Sequence, residues 1–259
     1  MKNKLKLIAG PCIIEDKTLS FDIAEYLIKV ADELDIELIF KGSYKKANRT
    51  SLNSFTGINE KAALKILKDI RDIYNIPVTT DVHETRDCKN VSEHVDILQI
   101  PAFLCRQTDL LIAAGKTGLP VNIKKGQFMS PESMQHAMDK VKSTGNNNVW
   151  LTERGTTFGY EYLVVDMTSM PKMRNFCDNV IMDCTHSTQR PNQTAGITGG
   201  DPQMVETMAV SAVAAGATGL FIEVHPEPHK SGSDAGSILQ IDKLKPILEK
   251  CLKIKKALE

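Results

Sequence analysis

Three lysines and an arginine fall within nine residues, Lys41, Lys45, Lys46 and Arg49, interleaved with Ser43, Asn48, Thr50 and Ser51. Lysine offers a mobile point charge and arginine a planar fork, and both suit phosphate and carboxylate oxygens. The short hydroxyl and amide side chains between them add hydrogen bonds. A solvated basic loop is the plainer reading of such a run. The rest of the chain repeats the arrangement, because short apolar stretches end again and again on polar or reactive groups. Those ends are Cys12, then Lys41 and Ser43, Asp81 and His83, Gln99, Lys124 and Lys125, Glu153 and Arg154, Asp183 and His186, and Glu223 and His225. The cations Lys41, Lys46, Arg49, Lys124 and Arg154 imply a ligand carrying several negative charges.

The elements that must position these groups are legible as an alternation. Strand-like runs of Val, Ile and Leu occupy residues 5–9, 38–40, 77–82, 95–100, 120–123, 149–151, 180–182 and 220–224. Helical spacing of apolar residues marks 20–34, 61–74, 110–116, 132–142, 203–215 and 241–258. Eight short strands interleaved with helices are what a (β/α)8 TIM barrel of the α/β class requires, and one such domain spans residues 1–259. The competing layout is a doubly wound open sheet, which usually carries a glycine-rich turn after its first strand; GxGxxG is absent here. In a barrel the βα loops at the carboxyl ends of the strands form the site, which locates a function without naming it. The turns at 198–200 and 231–237 follow the last two strands, where barrels often close loops over a phosphate.

Composition narrows the partners. Lys plus Arg and Asp plus Glu balance at 32 each, so no global field draws the chain to nucleic acid or to an anionic membrane. Sparse aromatics, 5% of residues with a single Trp150, argue against a base-stacking surface. No run of eighteen apolar residues exists to span a membrane, and the N-terminal apolar run is too short for a signal peptide. Six cysteines (Cys12, Cys88, Cys105, Cys177, Cys184 and Cys251) form no CxxC pair, so a reducing cytoplasm is the expected compartment. By composition Cys12 reads as a small core residue.

Longer motifs make the pattern specific. They are Lys41-Gly42-Ser43 with 46–51, Thr80-Asp81-Val82-His83-Glu84, Gln99-Ile100-Pro101 on to Asp109, and Asn122-Ile123-Lys124-Lys125-Gly126-Gln127-Phe128. Thr152-Glu153-Arg154-Gly155, Asp183-Cys184-Thr185-His186-Ser187 and Phe221-Ile222-Glu223-Val224-His225-Pro226 follow in order. Together, from about residue 7 to 258, they resemble the 3-deoxy-D-manno-octulosonate 8-phosphate synthase family. The resemblance implies a cytoplasmic, homotetrameric transferase that condenses phosphoenolpyruvate with arabinose 5-phosphate and releases phosphate. Its product is the eight-carbon sugar acid of lipopolysaccharide biosynthesis.

By the same resemblance, Lys41, Ser43, Lys46, Gln99, Lys124, Arg154 and His186 match the phosphoenolpyruvate site. Asn48, Arg49 and Thr50 match the grip on the pentose phosphate, with Asp81 and His83 towards its reacting end. Pro101, Phe103 and Arg106 match a segment that reaches into a neighbouring subunit's site. Lys124, His186, Asp81 and His83 are the expected catalytic set. Cys12, His186, Glu223 and Asp234 match the ligands of a metal-dependent branch, a set suited to Zn, Fe(II) or Mn(II), with no organic cofactor. The sister heptulosonate synthase, which uses erythrose 4-phosphate, typically has Lys-Pro-Arg-Thr-Ser where this chain has Lys46-Ala47-Asn48-Arg49-Thr50-Ser51. That difference favours the pentose phosphate. The last loop departs from the family, with Leu239-Gln240 where a proline is usual. Two other functions fit the residues: a Schiff-base aldolase acting through Lys124, and a phosphosugar-binding protein without chemistry.

Overall fold

The computed structural model describes residues 4–47, 55–191 and 199–259. Among these residues, eight parallel strands form the barrel and alternate with eight helices. The strands are β1 (Lys6–Gly10), β2 (Glu37–Lys41), β3 (Val78–Asp81), β4 (Ile97–Ile100), β5 (Val121–Lys124), β6 (Val149–Glu153), β7 (Asn179–Asp183) and β8 (Gly219–His225). Each pairs with the next, and β1 also pairs with β8, Leu7 lying opposite both Leu38 and Leu220. That last pairing closes the sheet into a (β/α)8 barrel and rules out the open doubly wound layout.

The helices are α1 (Lys17–Leu34), α2 (Glu60–Tyr74), α3 (Thr85–Ser92), α4 (Thr108–Gly115), α5 (Met134–Lys142), α6 (Ser169–Arg174), α7 (Val205–Ala214) and α8 (Leu244–Leu258). Local chemistry starts and stops them. Asp16 caps α1 by accepting from the Leu19 amide at 2.9 Å, and Asn59 caps α2 by accepting from Lys61 and Ala62. Both helices end on a residue in the left-handed region, Asp35 at φ 53° and Asn75 at φ 51°. Two helices lie beyond those that periodicity picks out. In α3 only Cys88 and Val91 are buried, and α6 has just six residues, so neither shows two turns of apolar repeat. An exposed antiparallel hairpin, Thr156–Phe158 with Tyr162–Val164, is a further addition after β6.

Alternation along the strands sorts the side chains. Leu7, Phe40, Leu98, Ile123, Leu151, Met182 and Ile222 belong to the large outer core beneath the helices. Ile8, Ile39, Ile97, Trp150, Ile181 and Phe221 form a separate buried cluster that plugs the inside of the barrel. The strands also run further than the apolar residues suggest. β2, β5, β6, β7 and β8 carry their ladders to Lys41, Lys124, Glu153, Asp183 and His225. A polar side chain ends the hydrophobic run without ending the backbone pairing, so these groups sit on rigid strand rather than on loop.

Gly10 lets the mouth of the barrel close. A Cβ there would lie 1.9 Å from the Lys41 carbonyl oxygen, an overlap only glycine avoids. Gly10→Ala is therefore expected to destabilise the fold by about 3 kcal/mol. Urea unfolding of the variant checks this, and an unchanged midpoint would show that β1 and β2 can part without cost.

Candidate functional site

Two residues beyond the apolar plug, the same strand faces turn polar. Ile39 is followed by Lys41, Ile97 by Gln99, Trp150 by Thr152, Ile181 by Asp183 and Phe221 by Glu223, all buried. Asp81 and Lys124 end β3 and β5 in the same ring. Period-two geometry thus stacks a crown of charge on a hydrocarbon floor. Phe221 is the floor's upper surface, its ring centroid 3.6 Å from Lys124 Nζ and 5.7 Å from Lys41 Nζ, within cation–π range of both.

The crown is held by buried ion pairs. Lys41 Nζ donates to Glu223 Oε1 at 2.6 Å and to the Cys12 carbonyl at 2.7 Å. Lys124 Nζ donates to Asp183 Oδ2 at 2.6 Å and lies 3.4 Å from His186 Nδ1. Asp183 also takes the His186 backbone amide at 2.8 Å and its Nδ1 at 2.8 Å, fixing the imidazole. Burial would push the Asp183 and Glu223 carboxyls up, but the cations around them hold both below the usual carboxylate range. Burial lowers Lys124, and Asp183 and Glu223 only partly offset it. Arg154, also buried, is lowered for the same reason. Lys46 is the contrast. Burial opposes its charge, yet Cys12, Glu223, Asp81 and Asp234 raise it above the ordinary lysine value.

The remaining expected residues fall into four groups. Lys46 Nζ donates to Ser43 Oγ at 3.0 Å, joining the crown from the loop after β2. His83 Nε2 approaches Asp81 Oδ2 to 2.8 Å without the alignment of a hydrogen bond, and burial is again overcome as His83 and Lys46 hold Asp81 low. Pro101 and Arg106 flank a short 3-10 turn, Ala102–Leu104, that contains Phe103; Phe103 and Arg106 are exposed, not gathered into the crown. Asn48, Arg49 and Thr50 lie outside the described residues. Several crown atoms are buried with no hydrogen-bond partner among the described residues: Asp81 Oδ1, Gln99 Oε1, Arg154 Nη1 and Glu223 Oε2. Buried polar atoms are normally satisfied, so unpaired donors and acceptors gathered at the carboxyl ends of the strands mark where a polar ligand belongs.

Three of the four donors expected to hold a metal are brought together, with His186 beside one of them. Ligand atoms of Cys12, Glu223 and Asp234 lie within 4.8 Å of one another. The Cys12 thiol donates to Asp234 Oδ2 at 3.2 Å, and Glu223 keeps Oε2 free. His186 Nε2 is 3.6 Å from that oxygen, while Asp183 holds the other ring nitrogen, the usual arrangement of a ligating histidine. Burial, with Glu223 nearby, raises the Cys12 thiol, so the sulfur stays protonated unless a cation replaces its proton. These residues fit a divalent ion of borderline softness.

Three supports escape a reading of residue types alone. Asp183 is visible in sequence only as a strand end, yet it binds both Lys124 and His186. Gln189 Oε1 accepts from Arg154 Nη2 at 2.8 Å and its Nε2 donates to Asp234 Oδ1 at 3.1 Å; nothing local in the sequence signals it. Lys125 looks like a second site lysine but points away from the crown. Its Nζ pairs with buried Glu153 at 3.2 Å and donates to the carbonyls of Met129 and Gly155 and to Thr156 Oγ1. Glu153 in turn accepts from the amides of Arg154 and Gly155. This pair clamps the loops that follow Lys124 and Arg154. Lys125→Met leaves Glu153 buried without its cation and is expected to cost about 3–5 kcal/mol in urea unfolding. Adding Glu153→Gln should recover part of that loss, and a double variant as unstable as the single would remove the charge argument.

The whole chain, residues 1–259, matches the model of the DAHP synthetase I family. A 2-dehydro-3-deoxyphosphooctonate aldolase of Brucella canis is 48% identical over 248 residues, covering 96% of this chain and 90% of that protein. One of the same name from Koribacter versatilis is 49% identical over 257 residues, covering 98% and 92%. With nearly half its residues shared along almost its full length, the chain belongs to the DAHP synthetase I family.

Proposed function

We propose that this chain is an enzyme that condenses phosphoenolpyruvate with arabinose 5-phosphate and water, giving 3-deoxy-D-manno-octulosonate 8-phosphate and phosphate. The observation that carries the reading is the crown itself: Lys41, Lys46, Lys124 and Arg154 gather above an apolar floor together with buried polar atoms that have no partner among the described residues. Relatives named for the octulosonate product support the choice of substrate within the family.

In this reading Lys46, Ser43, Arg154 and Gln99 bind the carboxylate and phosphate of phosphoenolpyruvate. Lys124 and His186, both oriented by Asp183, stand at the reacting carbons. The enol carbon bonds to the sugar aldehyde carbon, whose oxygen takes up a proton. Water adds to the carbon bearing phosphate, and phosphate leaves with the bridging oxygen to form the ketone. Lys124 Nζ, 2.6 Å from Asp183 and 3.4 Å from His186, is placed to hold or deliver that proton. Cys12, His186, Glu223 and Asp234 would hold a divalent ion, whose chemistry is to polarise a carbonyl or lower the pKa of a bound water. Asp81 and His83 face the sugar's reacting end. Asn48, Arg49 and Thr50 grip its phosphate. Exposed Phe103 and Arg106, with Pro101, complete the site of a neighbour in a homotetramer, and the cytoplasm is the compartment.

Released phosphate, measured with arabinose 5-phosphate and erythrose 4-phosphate side by side, tests the reading. Turnover should strongly favour the pentose phosphate; equal or better turnover of the tetrose phosphate would transfer the chain to the heptulosonate reaction. Lys124→Met should lower kcat by about 10²–10⁴-fold. A chelator should abolish activity and a divalent ion restore it, whereas a fully active metal-free enzyme would return Cys12 to the core. The lowered Lys124 also favours a second reading, a Schiff base with a keto acid, which borohydride trapping with pyruvate would expose as a stable adduct.

A further inference from the structure

Gln189 bridges the crown and the loop after β8. On one side is Arg154, at the end of β6, with Nη2 on the Gln189 carbonyl oxygen and Nη1 buried and unpaired. On the other is Asp234, in the loop after β8, whose Oδ1 takes the Gln189 amide and whose Oδ2 takes the Cys12 thiol. The chain Arg154–Gln189–Asp234–Cys12 therefore runs from a phosphate-type cation to the cluster suited to a divalent ion.

Residue chemistry at position 189 is tightly constrained. Guanidinium groups only donate and carboxylates only accept, so the bridging side chain must accept at one end and donate at the other. A primary amide does this without charge; a carboxylate would repel Asp234 and an ammonium would repel Arg154. The orientation of the amide follows from its partners. The backbone holds the bridge in place. Gln189 pairs antiparallel with Gly200, and a Cβ on Gly200 would lie 2.7 Å from the Gly236 carbonyl oxygen in the loop carrying Asp234. Asp234 itself is a non-glycine residue at φ 50°, a conformation that the surrounding contacts must maintain.

We infer that Gln189 is a positioning residue that couples phosphoenolpyruvate binding to divalent-ion binding. An anion taken up by Arg154 Nη1 leaves Nη2 on Gln189, which holds the amide on Asp234 and keeps Oδ2 beside Cys12. Each ligand thus stabilises the arrangement the other needs, and the coupling is reciprocal by linkage. The inference rests on the function proposed above.

The test uses full-length metal-stripped protein and no arabinose 5-phosphate, so that nothing turns over. Cd2+ or Co2+ is titrated in, following the thiolate-to-metal absorption of Cys12, with and without saturating phosphoenolpyruvate. In the wild type, phosphoenolpyruvate should tighten the metal Kd by at least about fivefold. In Gln189→Met, which keeps the length and loses both hydrogen bonds, the ratio should fall to about one while both ligands still bind. Gln189→Asn keeps the amide but is too short to span both partners, and should behave the same way. It stands in should the Met variant not fold. A purely structural role would weaken both affinities and leave the ratio intact. A wild-type ratio near one, or variants that retain the wild-type ratio, overturns the inference alone. Failure of phosphoenolpyruvate to bind the wild type by calorimetry overturns the proposed function and the inference with it.

Discussion

Two buried ion pairs, Lys41 with Glu223 and Lys124 with Asp183, are what the mouth of this barrel depends on. Four charges have been taken out of water there, at a desolvation cost that only close opposite partners offset. The pairing cannot be made locally. Lys41 ends the second strand and Glu223 belongs to the eighth, and closure of the sheet through β1, which pairs with both, brings the two side chains within 2.6 Å of each other. Without closure, each strand would expose a charged end. With it, the charges neutralise one another around a common axis and the site is assembled by the same hydrogen bonds that make the barrel.

The pairs also divide the work of single side chains. Glu223 commits Oε1 to Lys41 and leaves Oε2 3.6 Å from His186 Nε2. Asp183 satisfies the His186 amide and one imidazole nitrogen while holding Lys124. Each carboxylate thus serves as a counter-ion and an orienting group together, so substitutions here should be read as loss of geometry and loss of charge balance combined.

The fold was largely legible because strand and helix leave different periods, and because Val, Ile and Leu crowd the buried strands. The helices α3 and α6 were not, since each is too short to repeat a buried stripe. Most of the crown was legible as polar residues ending apolar runs, and the long motifs gave them roles. What composition could not distinguish was the direction of adjacent residues. Lys124 and Lys125 look alike in sequence, yet the period of two sends one to the crown and the other to the clamp with Glu153. Gln189 was invisible because its meaning lies wholly in two partners from other loops.

Phe221 gives the arrangement a consequence for how such a protein can change. Its ring is part of the barrel's interior packing and, at 3.6 Å from Lys124 Nζ, also the solvent of that ammonium on its lower side. A substitution selected for heat tolerance or core volume at this position would shift the basicity of a site lysine. A substitution selected for rate would equally disturb the core. Stability and chemistry share one degree of freedom here, so lineages carrying this barrel would be expected to adapt to new temperatures through the outer helices and to leave the inner floor alone.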